Sequence, residues 1–480
     1  MYLNIFIEHA ITVYNAIIFF YVILISSSYL ILAIISIITL SRYLKENSFI
    51  NYKIILSSDM APHLSLIAPA YNEGINIKEN VHSLLSLNYT NYEVIVVNDG
   101  SKDDTMDVLI NSYDLEEVKY DFTEQIKTQQ IKAVYKSNNP AFHKLVVVDK
   151  YNGGKADALN VGINVSNRAY IICIDADCIL NKDALLILAK PFLEKSDEHV
   201  IATGGVIRVA NSCVIKGGTL LKINVPRNML ARVQVVEYLR AFLLGRMAWS
   251  KLDGLLIISG AFGMFDKEIA IKAGGYNIKT VGEDMELVIR MRRYMIENNL
   301  KYSVLYIPNP LCWTEAPETF SMLSKQRSRW TRGTMETLWI HRRMFLNPKY
   351  KILGLLSVPY WFMFEYLAPI IEFTGLLITF VFAILGILGW SYFLMFVLFA
   401  YSFAVMFSIL TLLSEEYSYH QYPKVSDFAK LLGAAMIEPL YFHIFVVYAA
   451  LKGNWEKIVG RKGWGDMVRT GFSKEKQSTA

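Results

Sequence analysis

Residues 13 to 40, from Val13 through Phe19 and Leu30 to Leu40, carry no charged side chain. As a helix such a run crosses the ~30 Å hydrocarbon layer of a bilayer with length to spare, so lipid is the solvent for this part of the chain. A cleaved secretory leader has a basic start, a shorter apolar core and a small-residue cleavage site. None of these accompanies the run, which reads as a transmembrane helix within residues 1–45. Arg42 and Lys45 follow directly, and positive charge beside a span marks its cytosolic side. With 480 residues, 53% of them apolar, there is room for a complete soluble domain beside the membrane part.

From residue 60 to 347 the texture is that of a soluble α/β domain. Apolar runs at Leu64–Pro69, Glu93–Val97, Lys144–Val148 and Tyr170–Ile174 are long enough for strands and too short for typical helices. Helices are expected between them, at Ile77–Leu87 and Asp103–Tyr113. This βαβ rhythm predicts a doubly wound sheet with its ligand at the carboxyl ends of the strands. Residues 348–451 turn apolar again in three blocks, near 360–388, 390–413 and 431–451, and Glu365, Glu372 and Glu438 lie in or beside them. Ionisable groups at such depth face a protein interior or an aqueous path, or else the blocks are interfacial. The tail, 452–480, holds Lys452, Lys457, Arg461, Lys462, Arg469, Lys474 and Lys476, which favours a cytosolic end. A cytosolic domain and a cytosolic tail require an even number of spans between them. One of the three blocks is therefore expected to be interfacial, re-entrant or divided.

Other classes find little support. The net charge of +5 is not gathered into a basic run, so no nucleic-acid partner is expected. Cys173, Cys178, Cys213 and Cys312 form no CxxC pair and read as reduced structural thiols rather than zinc ligands.

The informative polar clusters fall at predicted strand ends. Tyr71-Asn72-Glu73-Gly74 follows the first strand and Asn98-Asp99-Gly100-Ser101 the second; each can offer a carboxylate, and the first an aromatic face, to a base and ribose. Each is equally ordinary turn chemistry. Asn152-Gly153-Gly154-Lys155 opens a predicted helix, and backbone amides, a helix N-terminus and an ammonium together suit a diphosphate. Lys155 is followed by alanine, so this is not the ATPase phosphate loop. Asp175-Ala176-Asp177 closes the fourth strand and can hold one hard divalent cation, Mg2+ or Mn2+. Val281-Gly282-Glu283-Asp284 leads into a basic helix; Asp284 is a candidate general base, although acids at a helix start also have a purely electrostatic use. Gln326-Arg327-Ser328-Arg329-Trp330 combines guanidinium groups with a flat ring suited to a pyranose, or forms an amphipathic helix on the membrane.

PAYNEG, NDGSKDDT, NGGKADALN, DAD, GED and QRSRW, in this order between hydrophobic helices, resemble the processive members of glycosyltransferase family 2, the inverting GT-A enzymes that include cellulose, hyaluronan and poly-N-acetylglucosamine synthases. The resemblance covers roughly residues 60 to 345. It implies an α/β GT-A fold, a doubly wound mixed sheet flanked by transmembrane helices. Tyr71, Glu73, Asp99, Lys155, Asp175, Gln326 and Arg329 would bind a UDP-sugar donor. Asp175 and Asp177 would hold the metal, Asp284 would be the catalytic base, and Glu283 and Trp330 would meet the acceptor. Ser259-Gly260-Ala261-Phe262 falls where the family has a small-residue segment beside the acceptor. Where the family has threonine before its acid pair, this chain has Gly282. The implied activity is polymerisation of a sugar into a β-linked extracellular polysaccharide, poly-N-acetylglucosamine-like, by a multi-pass enzyme of the cell membrane with a cytosolic catalytic domain. Implied partners are the UDP-sugar, the polysaccharide acceptor, the bilayer and a small membrane subunit. The alternative is transfer of a single sugar to a lipid or lipid-phosphate acceptor.

Overall fold

The computed structural model describes residues 2–194 and 197–460. Runs of Val, Ile and Leu that cannot face water on either side pair into one mixed sheet. Its strands are β1 (Leu64–Ala70), β2 (Tyr92–Asn98), β3 (Leu115–Glu117), β4 (Ile131–Ser137), β5 (Leu145–Lys150), β6 (Tyr170–Ile174), β7 (Cys178–Leu180), β8 (His199–Val209), β11 (Phe262–Asp266) and β12 (Tyr302–Thr314). A separate hairpin joins β9 (Val214–Lys216) to β10 (Thr219–Lys222). The order across the sheet is β3-β4-β5-β2-β1-β6-β11-β8-β12-β7.

The central β5-β2-β1-β6 strands are all parallel, with Leu66 opposite Val94, Val94 opposite Leu145 and Leu64 opposite Tyr170. Every residue of β2 is buried, and each fully buried Val or Ile there contributes roughly 1.5–3 kcal/mol. Helices α2 (Ile77–Leu85), α3 (Thr105–Tyr113) and α4 (Lys155–Val165) make the crossovers. α4 lies so close to β1 that a Cβ on Gly162 would meet Ile67 Cγ2 at 2.2 Å. Parallel pairing brings the carboxyl ends of β1, β2, β5 and β6 to one edge, where the polar clusters of the sequence stand.

The four strands expected from sequence are present, and the sheet is mixed. β12 escaped the reading because Pro308, Asn309 and Pro310 interrupt its apolar pattern; the pairing with β8 shifts register around Pro310, as a strand must where a ladder donor is missing. The remaining helices are α5 (Ala184–Leu193), α6 (Met229–Tyr238), α7 (Arg246–Lys251), α8 (Lys267–Lys272), α9 (Glu283–Glu297) and α10 (Phe320–Ile340). A π-helical segment, Leu239–Gly245, joins α6 to α7.

Among the described residues four helices are long and apolar enough to cross a membrane: Ile11–Asn47 of α1 (Tyr2–Asn47), Leu353–Ile384, α13 (Trp390–Ser418) and α14 (Val425–Ile458). Leu353–Ile384 is irregular, with π-helical turns on either side of α11 (Val358–Tyr360) before the regular α12 (Ala368–Ile384). The four differ in surroundings. In the most apolar stretch of α14, 39% is buried inside the protein, against 6% for Leu353–Ile384 and for α13. α14 lies on α10 along its second half: Phe320 packs on Phe445, and Lys452 Nζ donates to Ser324 Oγ at 3.2 Å. The basic positions from Arg461 onward lie outside the described residues.

Two buried ion pairs tie the sheet domain to these helices. Arg208 at the end of β8 bonds to Glu415 of α13, both almost fully buried, and Arg240 donates to Glu438 of α14 at 2.9 Å and to Ser408 of α13 at 3.0 Å. Removing one member of such a pair leaves a buried charge unpaired, at a cost of about 3–5 kcal/mol. Glu415→Ala is therefore expected to lower the thermal midpoint of the detergent-solubilised protein sharply. Adding Arg208→Met is expected to restore part of the loss, because it removes the stranded charge; a double variant no more stable than Glu415→Ala would show that the pair does not act this way.

Candidate active site

The first two turns are laced together before any ligand arrives. The N–H of Asn72 donates to Ser101 Oγ at 3.0 Å, that of Lys102 to Asn72 Oδ1 at 2.8 Å and that of Gly74 to Asp103 at 3.0 Å. This leaves the Tyr71 ring 42% exposed at the tip of β1. Glu73 is buried beside it; its N–H donates to Thr105 Oγ1 at 2.8 Å, and its carbonyl accepts the first amides of α2.

Asp99 is engaged within the protein. Its carboxylate accepts from Lys150 Nζ at 2.5 Å, from the Gly153 and Gly154 amides at 2.9 and 2.8 Å, and from Asn152 Nδ2 at 3.2 Å. It is 3% exposed. A carboxylate so bonded holds the 152–154 loop in place. The two glycine amides, expected to face a diphosphate, point to Asp99 as well. Lys150, fully buried, bridges Asp99 and Asp157 (2.7 Å). Sequence reasoning missed this bridge, although a lysine closing a run of valines was its signal.

The centre of the site is Lys155. Its ammonium lies 2.5 Å from Asp175 and 3.5 Å from Glu283, and it donates to the Gly260 carbonyl at 3.1 Å. One cation thus joins the N-terminus of α4, the tip of β6, the 259–261 segment and the N-terminus of α9. Burial disfavours the charged lysine, but the carboxylates of Asp175 and Glu283 outweigh it and hold the ammonium above its ordinary range. Burial acts the other way on Glu283, pushing it up to about 7; Lys155 and, more weakly, Arg329 oppose the rise, and the neighbouring Asp284 adds to it. Gly260 also touches Asp284, since a Cβ there would meet Asp284 Oδ2 at 2.9 Å. Lys155, Asp175, Gly260, Glu283 and Asp284 therefore form one cluster.

Asp177 stands two positions after Asp175, just beyond the strand tip, and accepts from Cys178 Sγ at 3.5 Å. Among the described residues no group of three or more His, Cys, Asp or Glu side chains could hold a metal. Two carboxylates suffice for Mg2+ or Mn2+ bound together with a diphosphate, because such ions keep several waters and take phosphate oxygens as ligands. The pair fits that use and does not fit a metal site made by protein alone.

The last cluster sits inside α10, and it is the polar face of this helix that is buried: Ser324, Arg327, Ser328 and Arg332 recur at helical spacing. That pattern fits packing against protein better than a helix lying with its apolar face in lipid. Arg327 donates to Glu237 at 2.6 Å, and its guanidinium lies 4.1 Å from the centre of the Trp330 ring, which is 40% exposed. Gln326 adjoins Tyr238, and Arg329 lies within electrostatic reach of Glu283. Gly282 and Gly333 meet backbone to backbone; a Cβ on either would approach the other at 2.8 Å. The family's threonine has no room at 282 in this packing.

The chain matches the model of Glycosyl transferase family 2 over residues 65–212 and that of Glycosyl transferase family group 2 over residues 170–410. It is 29% identical over 331 residues to the poly-beta-1,6-N-acetyl-D-glucosamine synthase of Staphylococcus epidermidis, covering 68% of this chain and 67% of that protein. With the enzyme of the same name from Staphylococcus aureus it shares 29% over 327 residues, 67% of this chain and 65% of that one. Among solved structures it is similar to the mannosyltransferase PcManGT from Pyrobaculum calidifontis in complex with GDP-Man and Mn2+, with a TM-score of 0.48 and 17% identity over 87% of this chain and 99% of that one. The second family match extends from the last central parallel strand through the QRSRW helix into the apolar helices, half of the molecule, and on that ground this chain belongs to the family 2 group of glycosyltransferases.

Proposed function

We propose that the protein is an inverting polysaccharide synthase that transfers N-acetylglucosamine from its UDP-sugar to the end of a growing β-linked chain. The observation that carries the reading is the Lys155 cluster, which sets an ammonium and a strand-tip carboxylate pair beside Asp284. The poly-beta-1,6-N-acetyl-D-glucosamine synthases to which the chain is similar support the choice of sugar and the polymeric product.

In this reading Tyr71 and Glu73 receive the uridine and Asp99 shapes the loop beneath it. Lys155 holds the diphosphate, aided by Gln326 and Arg329. Asp175 and Asp177 would hold Mg2+ or Mn2+, which supplies positive charge against the departing UDP. Asp284 takes the proton from the acceptor hydroxyl as that oxygen attacks the anomeric carbon from the face opposite UDP, so configuration inverts. Trp330 stacks on the acceptor sugar and Glu283 lies at its edge.

The long apolar helices support a membrane placement. α1, Leu353–Ile384 and α13 cross the cell membrane, with the sheet domain cytosolic. α14 lies along the interface: its exposed Leu440, Ile444 and Tyr448 form a stripe while its other face is buried on the protein. Two spans then separate the sheet domain from α14, an even number. The apolar helices offer a path for the polymer and a surface for a small membrane subunit.

With purified protein, UDP-N-acetylglucosamine and Mg2+ or Mn2+, long polymer is expected from the wild type and none from Asp284→Asn, read as UDP release together with product length. Single-sugar products would move the assignment to a lipid-acceptor transferase, and full turnover in Asp284→Asn would remove the base. Ionised Glu283 competes with a diphosphate for Lys155, so donor binding favours the protonated form. Donor affinity should therefore weaken as pH rises through about 7, and Glu283→Gln should flatten that dependence; an unchanged profile in the variant counts against the competition. In a cysteine-free background, Lys424→Cys and Trp455→Cys, at opposite ends of α14, should both react with an impermeant maleimide from the cytosolic side. Labelling from opposite sides would make α14 a span.

A further inference from the structure

Glu336 lies on α10, six residues beyond Trp330, and nothing in the mechanism above uses it. Its side chain is 10% exposed. One carboxylate oxygen accepts from the Thr280 hydroxyl at 2.8 Å and from the Val281 N–H at 3.0 Å. Thr280 Oγ1 in turn accepts the Gly282 N–H at 3.1 Å. The other oxygen of Glu336 accepts from Lys457 Nζ of α14 at 2.6 Å. Burial alone would raise this carboxyl, but the bonds from Lys457, Val281 and Thr280 hold it below its usual range, so it is an anion around neutrality.

These bonds converge on the three residues that immediately precede Glu283 and Asp284. The segment has little freedom on its other side, because Gly282 is in backbone contact with Gly333, on the same helix as Glu336. α14 holds α10 at three points: Lys452 on Ser324, Glu456 on Ser328 at 3.0 Å, and Lys457 on Glu336. One anion therefore connects the last helix to the turn that carries the acid pair.

We propose that Glu336 is a positioning residue that sets the Thr280–Gly282 turn, and through it the Asp284 carboxylate, with Lys457 orienting Glu336 from α14. The proposal rests on the reading of Asp284 as the base. Misplacing a reacting group by about an ångström costs on the order of 100-fold in rate, whereas the donor-binding Tyr71, Glu73, Lys155 and Asp175 stand on other elements, and Gln326 and Arg329 stand earlier on α10, away from the Glu336 end. A positioning defect thus lowers kcat and leaves donor KM in place.

The test uses the full-length protein in detergent or nanodiscs, with kcat and donor KM from UDP release, UDP affinity from direct binding, and the thermal midpoint recorded for each variant. Glu336→Ala and Thr280→Val should lose kcat by roughly 10- to 100-fold with donor KM and UDP affinity unchanged. Glu336→Gln should recover much of the rate, since its amide oxygen still accepts from Thr280 and Val281. Lys457→Met, which leaves those acceptors intact, should fall between. Wild-type kcat in Glu336→Ala overturns the inference, as does a parallel fall of kcat, UDP affinity and thermal midpoint that Glu336→Gln does not relieve. If Glu336→Ala does not fold, Thr280→Val and Glu336→Gln decide by the same criteria. Asp284→Asn is assayed alongside: its full activity would remove the base assignment, while its inactivity with unchanged kcat in Glu336→Ala would remove only the positioning role.

Discussion

The Lys155 ammonium is the constraint on which the candidate site depends. Four segments far apart in the chain converge on it: the α4 terminus, the β6 tip, the 259–261 segment and the α9 terminus. Each of the last three brings an oxygen that would repel its neighbours without a cation among them. Burial raises Glu283 to about 7 against the pull of Lys155, and the neighbouring Asp284 adds to the rise, since close buried carboxylates disfavour one another's charge. The cluster is thus held in a state of partial compensation, which a ligand bearing phosphates can rearrange. In the buried Lys150–Asp99–Asp157 network one ammonium stands between two carboxylates, which also accept from the Gly153, Gly154 and Gln129 amides. It reads as scaffolding for the loop that carries Lys155.

Around this centre the molecule is held together by charge pairs between layers that meet different solvents. Arg208–Glu415 and Arg240–Glu438 join the sheet domain to α13 and α14, and α14 in turn grips α10. Apolar contact alone places helices against one another with little preference for register. Buried, hydrogen-bonded charges penalise every register but one, and here they align the QRSRW helix with the sheet edge that carries the acid pairs.

The clusters that the sequence pointed to are found at the strand ends of the sheet, and their roles were legible to different degrees. Asp175, Lys155, Glu283 and Asp284 stand together, as residue types at strand and helix ends suggested. Asp99 looked the same in sequence as a ligand-facing carboxylate, but its partners Gly153, Gly154 and Lys150 lie more than fifty positions away, so its internal use could not be seen. Glu336 had no local signal: a single glutamate on a helix is ordinary, and its meaning comes from Thr280, Val281 and Lys457, which reach it only through folding. β12 was hidden by its prolines for a related reason, since its apolar pattern is interrupted where its pairing shifts.

What the sequence by itself determined is whatever depends on local periodicity and composition: the uncharged membrane run, the parallel central strands, the helix starts, and the chemical types gathered at strand ends. Hydrophobic patterning acts over a few residues and is readable there. The tertiary structure alone decided which carboxylates are compensated internally and which remain in the Lys155 cluster, that α14 packs on α10 along its second half, and that Gly282 meets Gly333. Those outcomes depend on desolvation and charge pairing between distant segments, and burial is a property of the assembled fold.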